Sequence, residues 1–207
     1  ITENLMGIKR VKGSYQKAKK PILINDLKLI IDVIDKVKNE NKRFKDKALI
    51  LVGFAGGFRR SELVATFYED VDFVPEGVKI FVKRSKTDQS GEGMTKGIPY
   101  FSNPKYCPVI SLKNWLEKSE IKSGKIFDMS DKSVALTVKK YTALAGLDSN
   151  KYSGHSLRSG FATSTAELGA EERSIMAMTG HKTTQMVRRY IQEANLFKNN
   201  ALNKIKI

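Results

Sequence analysis

The spacing of apolar residues is helical along most of this chain and alternates in one short stretch, which restricts the possible fold more than any other feature. On both sides of that stretch, apolar side chains repeat every three or four residues, as on one face of a helix. Within it Val78, Ile80 and Val82 alternate, and a second apolar run follows at 98–101. We therefore expect a mainly α fold with a small antiparallel β-sheet (α+β), whose hairpin has a long polar tip at 83–97.

Helix breakers and caps divide the chain into elements. Asn25 is expected to cap the first helix, because its side chain can accept a hydrogen bond from the first turn. A second apolar helix is expected to end at Gly56-Gly57, because paired glycines break helices. Helical spacing occurs at 27–37, 48–55, 109–116, 134–145, 155–168, 171–178 and 184–193. The predicted organisation is a basic linker or arm at 1–21, one domain at 22–195 and a short apolar tail at 196–207.

The charge balance favours a nucleic acid as the partner. The 207 residues include 37 Lys and Arg against 22 Asp and Glu, for a formal net charge of +15. Such an excess binds phosphates and releases their counterions, although a basic protein that is merely soluble is the plainer alternative. The candidate DNA-contacting side chains lie in the arm and the hairpin tip: Lys9, Arg10, Lys12, Lys17, Lys19, Lys20 and Arg84. A solvated tether is an equally good interpretation of the arm.

Other features of the composition exclude several classes of protein. Cys107 is the one cysteine and there are two histidines, so an internal disulfide is impossible and a metal site is poorly supplied. No apolar run is long enough to cross a bilayer. We expect no metal, no cofactor and no membrane partner, and a reducing, cytoplasmic compartment. The first residue is Ile1 rather than Met, which suggests a fragment whose upstream part is missing.

Two adjacent arginines, Arg59 and Arg60, follow the break at Gly56-Gly57. A helix start with an arginine beside it suits an anion such as phosphate. Arg59 and Glu62 are also three positions apart, so a plain intrahelical ion pair is the alternative explanation. The motif alone does not decide between the two.

A histidine and an arginine share one face of a later helix, because His155 and Arg158 are three positions apart. Histidine can exchange a proton near neutral pH, and arginine can hold two phosphate oxygens without losing its charge. Together they suit phosphoryl transfer. The alternative is a helix with a histidine near its start and a surface arginine, capped by Ser153.

A Gly-His pair, Gly180-His181, precedes Tyr190 by nine positions. In one unbroken helix a spacing of nine would turn the two side chains apart. The intervening Lys182–Thr184 segment offers a turn and a new helix start, which would allow His181 and Tyr190 to converge. The ordinary alternative is a half-buried core tyrosine.

A lysine in the hairpin tip, Lys86, is the last candidate. Such a lysine is usually only solvated, and it becomes a candidate general acid if the loop docks onto bound substrate. In chain order the candidates form one pattern: an Arg, a hairpin Lys, His-x-x-Arg, Gly-His, and a Tyr nine positions later. This pattern resembles the tyrosine recombinases, the phage integrase family, over roughly residues 22–195.

The resemblance implies a role for each candidate. Tyr190 is the expected nucleophile, which becomes linked to DNA. The phosphate would be stabilised by Arg59, Arg158 and His181. Proton transfer is expected from the remaining pair, with His155 as base and Lys86 as acid. Glu62 is expected to orient its neighbours.

The same resemblance implies a site-specific DNA recombinase or integrase that cleaves and rejoins DNA through a covalent 3′-phosphotyrosyl intermediate, without metal or ATP. Residues 22–195 would be its catalytic domain, and the family pattern implies an upstream core-binding domain, which this chain is not expected to include. Double-stranded DNA is the expected partner, bound by a homotetramer in the cytoplasm at the nucleoid, and the free protein could be a monomer. The tail could dock on a neighbouring protomer or fold back on its own core.

Three alternatives remain open at this point. A type IB topoisomerase-like relaxase shares the tyrosine chemistry. A non-catalytic DNA-binding protein derived from an integrase would share the fold. A basic helical RNA-binding protein would share the charge, although the sequence has no aromatic-rich strand of the kind that stacks bases.

Overall fold

The structure is a computed structural model that describes residues 19–83, 92–181, 183–195 and 201–205. Its helices are α1 (Ile24–Ile34), α2 (Glu40–Ala55), α3 (Arg60–Val64), α4 (Pro108–Ser119), α5 (Asp131–Leu144), α6 (His155–Glu167), α7 (Glu172–Thr179) and α8 (Thr184–Asn195). Short 3-10 turns lie at Tyr68–Asp70, Pro104–Tyr106, Ser149–Lys151 and Ala201–Lys204. Among the described helices, none has both the length and the apolar character that crossing a membrane requires.

One antiparallel sheet accompanies the helices, with strands β1 (Val71–Val74), β2 (Gly77–Val82) and β3 (Met94–Pro99) in the order β1-β2-β3. The predicted fold class, mainly α with a small antiparallel sheet, is confirmed. The sequence missed β1, a half-exposed strand of four residues without clear alternation. It also placed the second hairpin strand too late, because an inward-facing lysine interrupts the apolar pattern of β3.

Helix α2 is the centre of the core. Every residue from Ala48 to Ala55 is buried. Val52 packs in a cluster with the sheet and α4, whereas Ile50 belongs to a second cluster with α1 and α5. The helix begins well before the predicted 48, because the Asn39 side chain caps it by accepting from the backbone of Lys42. Because α2 packs against core clusters on two sides, the position of its C-terminal turn is fixed.

The start of α1 differs from the prediction. Asn25 is not the cap, because the helix already begins at Ile24 and no side chain caps it. The preceding chain is instead fixed by its backbone, since the Ile22 amide donates to the carbonyl of Ser156 at 2.9 Å. A Cβ atom at Gly160 would lie 2.0 Å from the carbonyl oxygen of Ile22. The entering chain and α6 are therefore in direct backbone contact.

Candidate active site

Arg158 lies at the centre of the candidate site, on α6, and is 1% exposed. Its Nη1 donates to the carbonyl of Gly57 at 2.9 Å, and its Nη2 lies 2.9 Å from Nε2 of His181. Gly57 adopts a φ of +54°, in a region that suits glycine and turns its carbonyl toward Arg158. Burial, followed by the charge of Arg59, lowers the pKa of Arg158 to about 10, which leaves it protonated at neutral pH.

Arg59 is the residue before α3 and is held there by Glu62. Its Nη1 lies 2.5 Å from Oε1 of Glu62, and its backbone amide donates to Oε2 at 2.9 Å. The ion pair that the spacing allowed therefore exists, and 17% of the Arg59 side chain remains exposed. Arg60 points elsewhere, toward Asp131 at 3.7 Å. Of the two adjacent arginines, Arg59 is thus the one whose charge reaches Arg158.

The hydrogen bonds of His181 identify its proton-bearing nitrogen. Arginine can only donate, so Nε2 of His181 accepts from Arg158 and Nδ1 carries the hydrogen. Nδ1 then donates to the hydroxyl of Thr179 at 2.8 Å, and that hydroxyl donates to the carbonyl of Ile175 at 2.6 Å. Burial, then the charges of Arg158 and Arg59, lower the pKa of His181 to about 4. The ring is therefore neutral at physiological pH.

Tyr190 and His155 meet at the open side of the site. The hydroxyl of Tyr190 lies 3.4 Å from Nε2 of His155, and its ring centre lies 6.1 Å from that of His181. Tyr190 and His181 converge because α7 ends at Thr179, Gly180 turns the chain with a φ of +64°, and α8 begins at Thr184. The His155 side chain is exposed on one side, yet partial burial and then the charges of three arginines, Arg158, Arg59 and Arg60, lower its pKa below 6.5.

The structure thus brings together Arg59, Glu62, His155, Arg158, His181 and Tyr190. The remaining predicted residues Lys86, Arg84, Lys9, Arg10, Lys12 and Lys17 lie outside the described residues. Lys19 and Lys20 are described, and both contact their own chain. Lys19 donates to the carbonyl of Asn150 at 2.6 Å, and Lys20 lies 3.4 Å from the carboxylate of Asp26.

Lys96, a buried lysine on β3, was not among the residues predicted from the sequence. Its Nζ donates to the carbonyls of Gly56 and Met178. Burial lowers its pKa to about 8, with the charge of Glu62 opposing this effect and those of both site arginines adding to it. A signal was present, because Lys96 occupies the inward position between Met94 and Ile98 in an alternating strand.

The charges around Tyr190 suit an anionic group. Two guanidinium groups, those of Arg59 and Arg158, stand beside two neutral imidazoles and one phenol. In the described part of the chain no group of three or more His, Cys, Asp or Glu side chains forms a metal site. The arrangement can hold a phosphate while a phenol and an imidazole exchange a proton beside it.

Sequence comparison relates the chain to a known family. The profile described as "Phage integrase family" matches residues 22–196. The chain is 48% identical over 213 aligned residues to an integrase/recombinase xerD homolog of Selenomonas ruminantium, covering 97% of this chain and 62% of that protein. It is 30% identical over 157 residues to the tyrosine recombinase XerD of Yersinia pestis, covering 69% of this chain and 48% of that protein. The chain therefore spans less than two thirds of the length of these relatives.

Solved structures share the fold. The XerH site-specific recombinase in a post-cleavage complex with its palindromic difH substrate matches with a TM-score of 0.69 and 20% identity, covering 89% of this chain and 54% of that one. The XerA recombinase matches with a TM-score of 0.68 and 18% identity, covering 94% and 67%. A lambda integrase dimer bound to a COC′ core site matches with a TM-score of 0.63 and 16% identity, covering 100% and 56%.

Proposed function

The chain belongs to the phage integrase family, and on that premise we propose that it is the catalytic part of a site-specific DNA recombinase. It cleaves and rejoins double-stranded DNA through a 3′-phosphotyrosyl bond to Tyr190, without metal or ATP. The observation that carries this proposal is the approach of the Tyr190 hydroxyl to within 3.4 Å of Nε2 of His155, beside the buried Arg158. The names of the relatives, recombinases and integrases, support it.

The first step is removal of the phenol proton. A tyrosine hydroxyl has an ordinary pKa of about 10 and is a weak nucleophile at neutral pH. His155 is the base in reach, and its lowered pKa keeps the imidazole unprotonated and able to accept the proton. The Tyr190 oxygen then attacks the phosphorus in line, and the bond from phosphorus to the 5′ oxygen breaks.

Arg59 and Arg158 stabilise the negative charge that develops around the phosphorus. The transition state is anionic, and fixed cations aimed at its non-bridging oxygens stabilise it without having to reorganise. A phosphate oxygen that binds Arg158 competes with His181 for the same guanidinium. His181 can then turn or take up a proton, and donate a hydrogen bond to the phosphate as its second contact.

The leaving 5′ oxygen needs a proton, and Lys86 supplies it in this proposal. This role rests on the family resemblance, because Lys86 lies outside the described residues. The phosphotyrosyl bond conserves the energy of the phosphodiester. A 5′ hydroxyl can therefore attack it and expel the Tyr190 phenolate, so that rejoining needs no energy source.

The assembly proposed for the reaction is a homotetramer on two duplexes. Residues 22–195 form the catalytic domain, the basic segment at 1–21 links it to an upstream domain, and the tail at 196–207 docks on a neighbouring protomer. Two apolar side chains of the described part of the tail support this docking, since Leu202 is 66% exposed and Ile205 is 58% exposed. A cavity of about 620 Å³ with an almost wholly apolar lining, which includes Phe54 and Phe161, is a candidate acceptor.

A suicide substrate tests the proposal. Nicked duplexes made from the DNA that flanks the native gene lose a short strand on cleavage, which traps the covalent adduct. We expect the full-length protein to form this adduct in the presence of EDTA, and Tyr190→Phe to form none while binding the same DNA with similar affinity. Adduct formation by the phenylalanine variant, or cleavage that EDTA abolishes, would refute the proposal.

A further inference from the structure

Lys96 occupies a place in β3 where the alternation of the strand calls for an apolar side chain. It is fully buried, lies opposite Ile80 of β2, and precedes the inward-facing Ile98 by two positions. Burying an amine costs free energy unless the amine is hydrogen-bonded, whereas an apolar side chain of similar length needs no such partners. The alternating pattern of the strand therefore does not account for a lysine at this position.

The Nζ atom of Lys96 joins two turns that are far apart in the sequence. It donates to the carbonyl of Gly56 at 2.9 Å, where α2 ends, and to the carbonyl of Met178, near the end of α7. The ring of Phe58 covers the same atom, with its centre 4.9 Å away. The amine is thus held between the two turns and shielded from water.

Both turns lead directly to the candidate active site. Beyond Gly56, the carbonyl of Gly57 accepts from Nη1 of Arg158. Beyond Met178, Thr179 contacts His181, which in turn accepts from Nη2 of Arg158. The hydrogen bonds and the short chain segments between them form a closed ring, in which Lys96 lies opposite Arg158.

We propose that Lys96 is a positioning residue for DNA cleavage: by holding the carbonyls of Gly56 and Met178 together, it sets the separation of Arg158 and His181. The inference rests on the proposed function, because the separation matters only if both groups act on one phosphate. Lys96 itself does not reach the substrate. It acts through the two turns, and its positive charge lies close enough to influence Arg158, Arg59 and Glu62.

Lys96→Met in the full-length protein removes both hydrogen bonds at similar side-chain volume. We expect single-turnover cleavage of the nicked suicide duplex to slow by about 100-fold, the effect of displacing reacting groups by about 1 Å. The affinity for the same duplex, measured by fluorescence anisotropy, is expected to stay unchanged. Lys96→Arg keeps the N–H donors and is expected to recover part of the lost rate.

Ile80→Ala is the matched control. Ile80 faces Lys96 across the sheet and is equally buried, but it has no polar group that could hold either turn. We expect it to lower the melting temperature at least as much as Lys96→Met while the folded protein cleaves at nearly the wild-type rate. Equal losses of cleavage in two variants of equal stability would show that Lys96 is merely structural and overturn the proposal.

A second measurement does not depend on cleavage. In ¹⁵N-histidine-labelled protein, the His181 signal is identified by its absence from His181→Gln. The wild-type signal is expected to show hydrogen on Nδ1 and an accepting Nε2, and to change in Lys96→Met but not in Ile80→Ala. An unchanged signal in Lys96→Met, or wild-type cleavage by it, overturns the proposal. If the wild-type protein forms no adduct, the proposed function fails, and the His181 signal alone decides the role of Lys96.

Discussion

His155 and His181, the two histidines of the chain, lie in one site and have different tasks. His181 is buried and fixed at both ring nitrogens, by Arg158 and Thr179. His155 stands at the open side with Tyr190 as its neighbour. The pKa of each is lowered by burial and then by the charges of Arg158 and Arg59, so both imidazoles are neutral where the protein is expected to work.

The pH dependence of cleavage follows from the state of His155. A base must be unprotonated to act, and the pKa of His155 is lowered, so the single-turnover rate is expected to rise from pH 5 to a plateau with a midpoint below 6.5. His155→Gln should slow cleavage by about 100-fold or more and remove this limb. His181→Gln is the control that should keep the limb, since the pKa of His181 is about 4. A midpoint above 6.5 in the wild-type protein would contradict the assignment.

Residue spacing predicted part of the site and missed part of it. His155 and Arg158 could be paired from the sequence, because residues three positions apart lie on the same face of a helix. The contact between Arg158 and His181 could not, because it depends on where α7 stops and how the Gly57 carbonyl is turned. Lys96 was overlooked because a lysine in a strand is assumed to face solvent. Its partners are backbone carbonyls, which carry no sequence signal.

Helix α6 carries two of the candidate catalytic residues and also receives the entering chain. Gly160 is the point of contact, where a Cβ atom would lie 2.0 Å from the carbonyl oxygen of Ile22. The chain before α1 is thereby fixed relative to the start of α6, where His155 lies.

Gly160→Ala tests whether the close approach of Gly160 to the Ile22 carbonyl determines the effect of this substitution on the unfolding free energy. Helix propensity alone predicts that alanine stabilises the fold by about 1 kcal/mol. Because the added Cβ collides with the Ile22 carbonyl, we expect a loss of about 1–3 kcal/mol of unfolding free energy instead. Urea unfolding measures it, with Gly97→Ala as the control, since a Cβ there meets nothing within 4 Å. A stabilised Gly160→Ala protein would disprove the close contact.

At the level of elements, the sequence predicted those helices whose apolar residues repeat with clear helical spacing. Helices α6, α7 and α8 were placed within a few residues, and the end of α2 at Gly56 was correct. The first half of α2 was missed, because residues 40–47 are mostly polar and reveal no apolar face. The strand β1 was missed because it is short and only half-buried. Tertiary packing, rather than local pattern, sets these boundaries.

On the scale of the whole molecule, the candidate site gathers the end of α2, the start of α6 and the segment from α7 to α8 around one buried guanidinium. Its partners come from positions as far apart as 57 and 190, so no local pattern could locate it. Only the order of the motifs along the chain predicted that they belong together.

Removal of the tail, residues 196–207, tests the proposed assembly. We expect the truncated protein to bind a single recombination site normally but to fail to join two duplexes, because the exposed Leu202 and Ile205 no longer reach a neighbour. Native gels and mass photometry measure both states, and Leu202→Glu with Ile205→Glu is the matched variant at full length. A truncated protein that still assembles, or a free monomer that loses stability on truncation, would instead indicate that the tail packs on its own domain.

The most direct test of the central claim locates the covalent bond itself. The trapped adduct is digested with nuclease and protease, and the modified peptide is sequenced by mass spectrometry. We expect a nucleotide attached through its 3′ phosphate to the hydroxyl of Tyr190. A nucleotide on any other residue, or one attached through its 5′ phosphate, would contradict it.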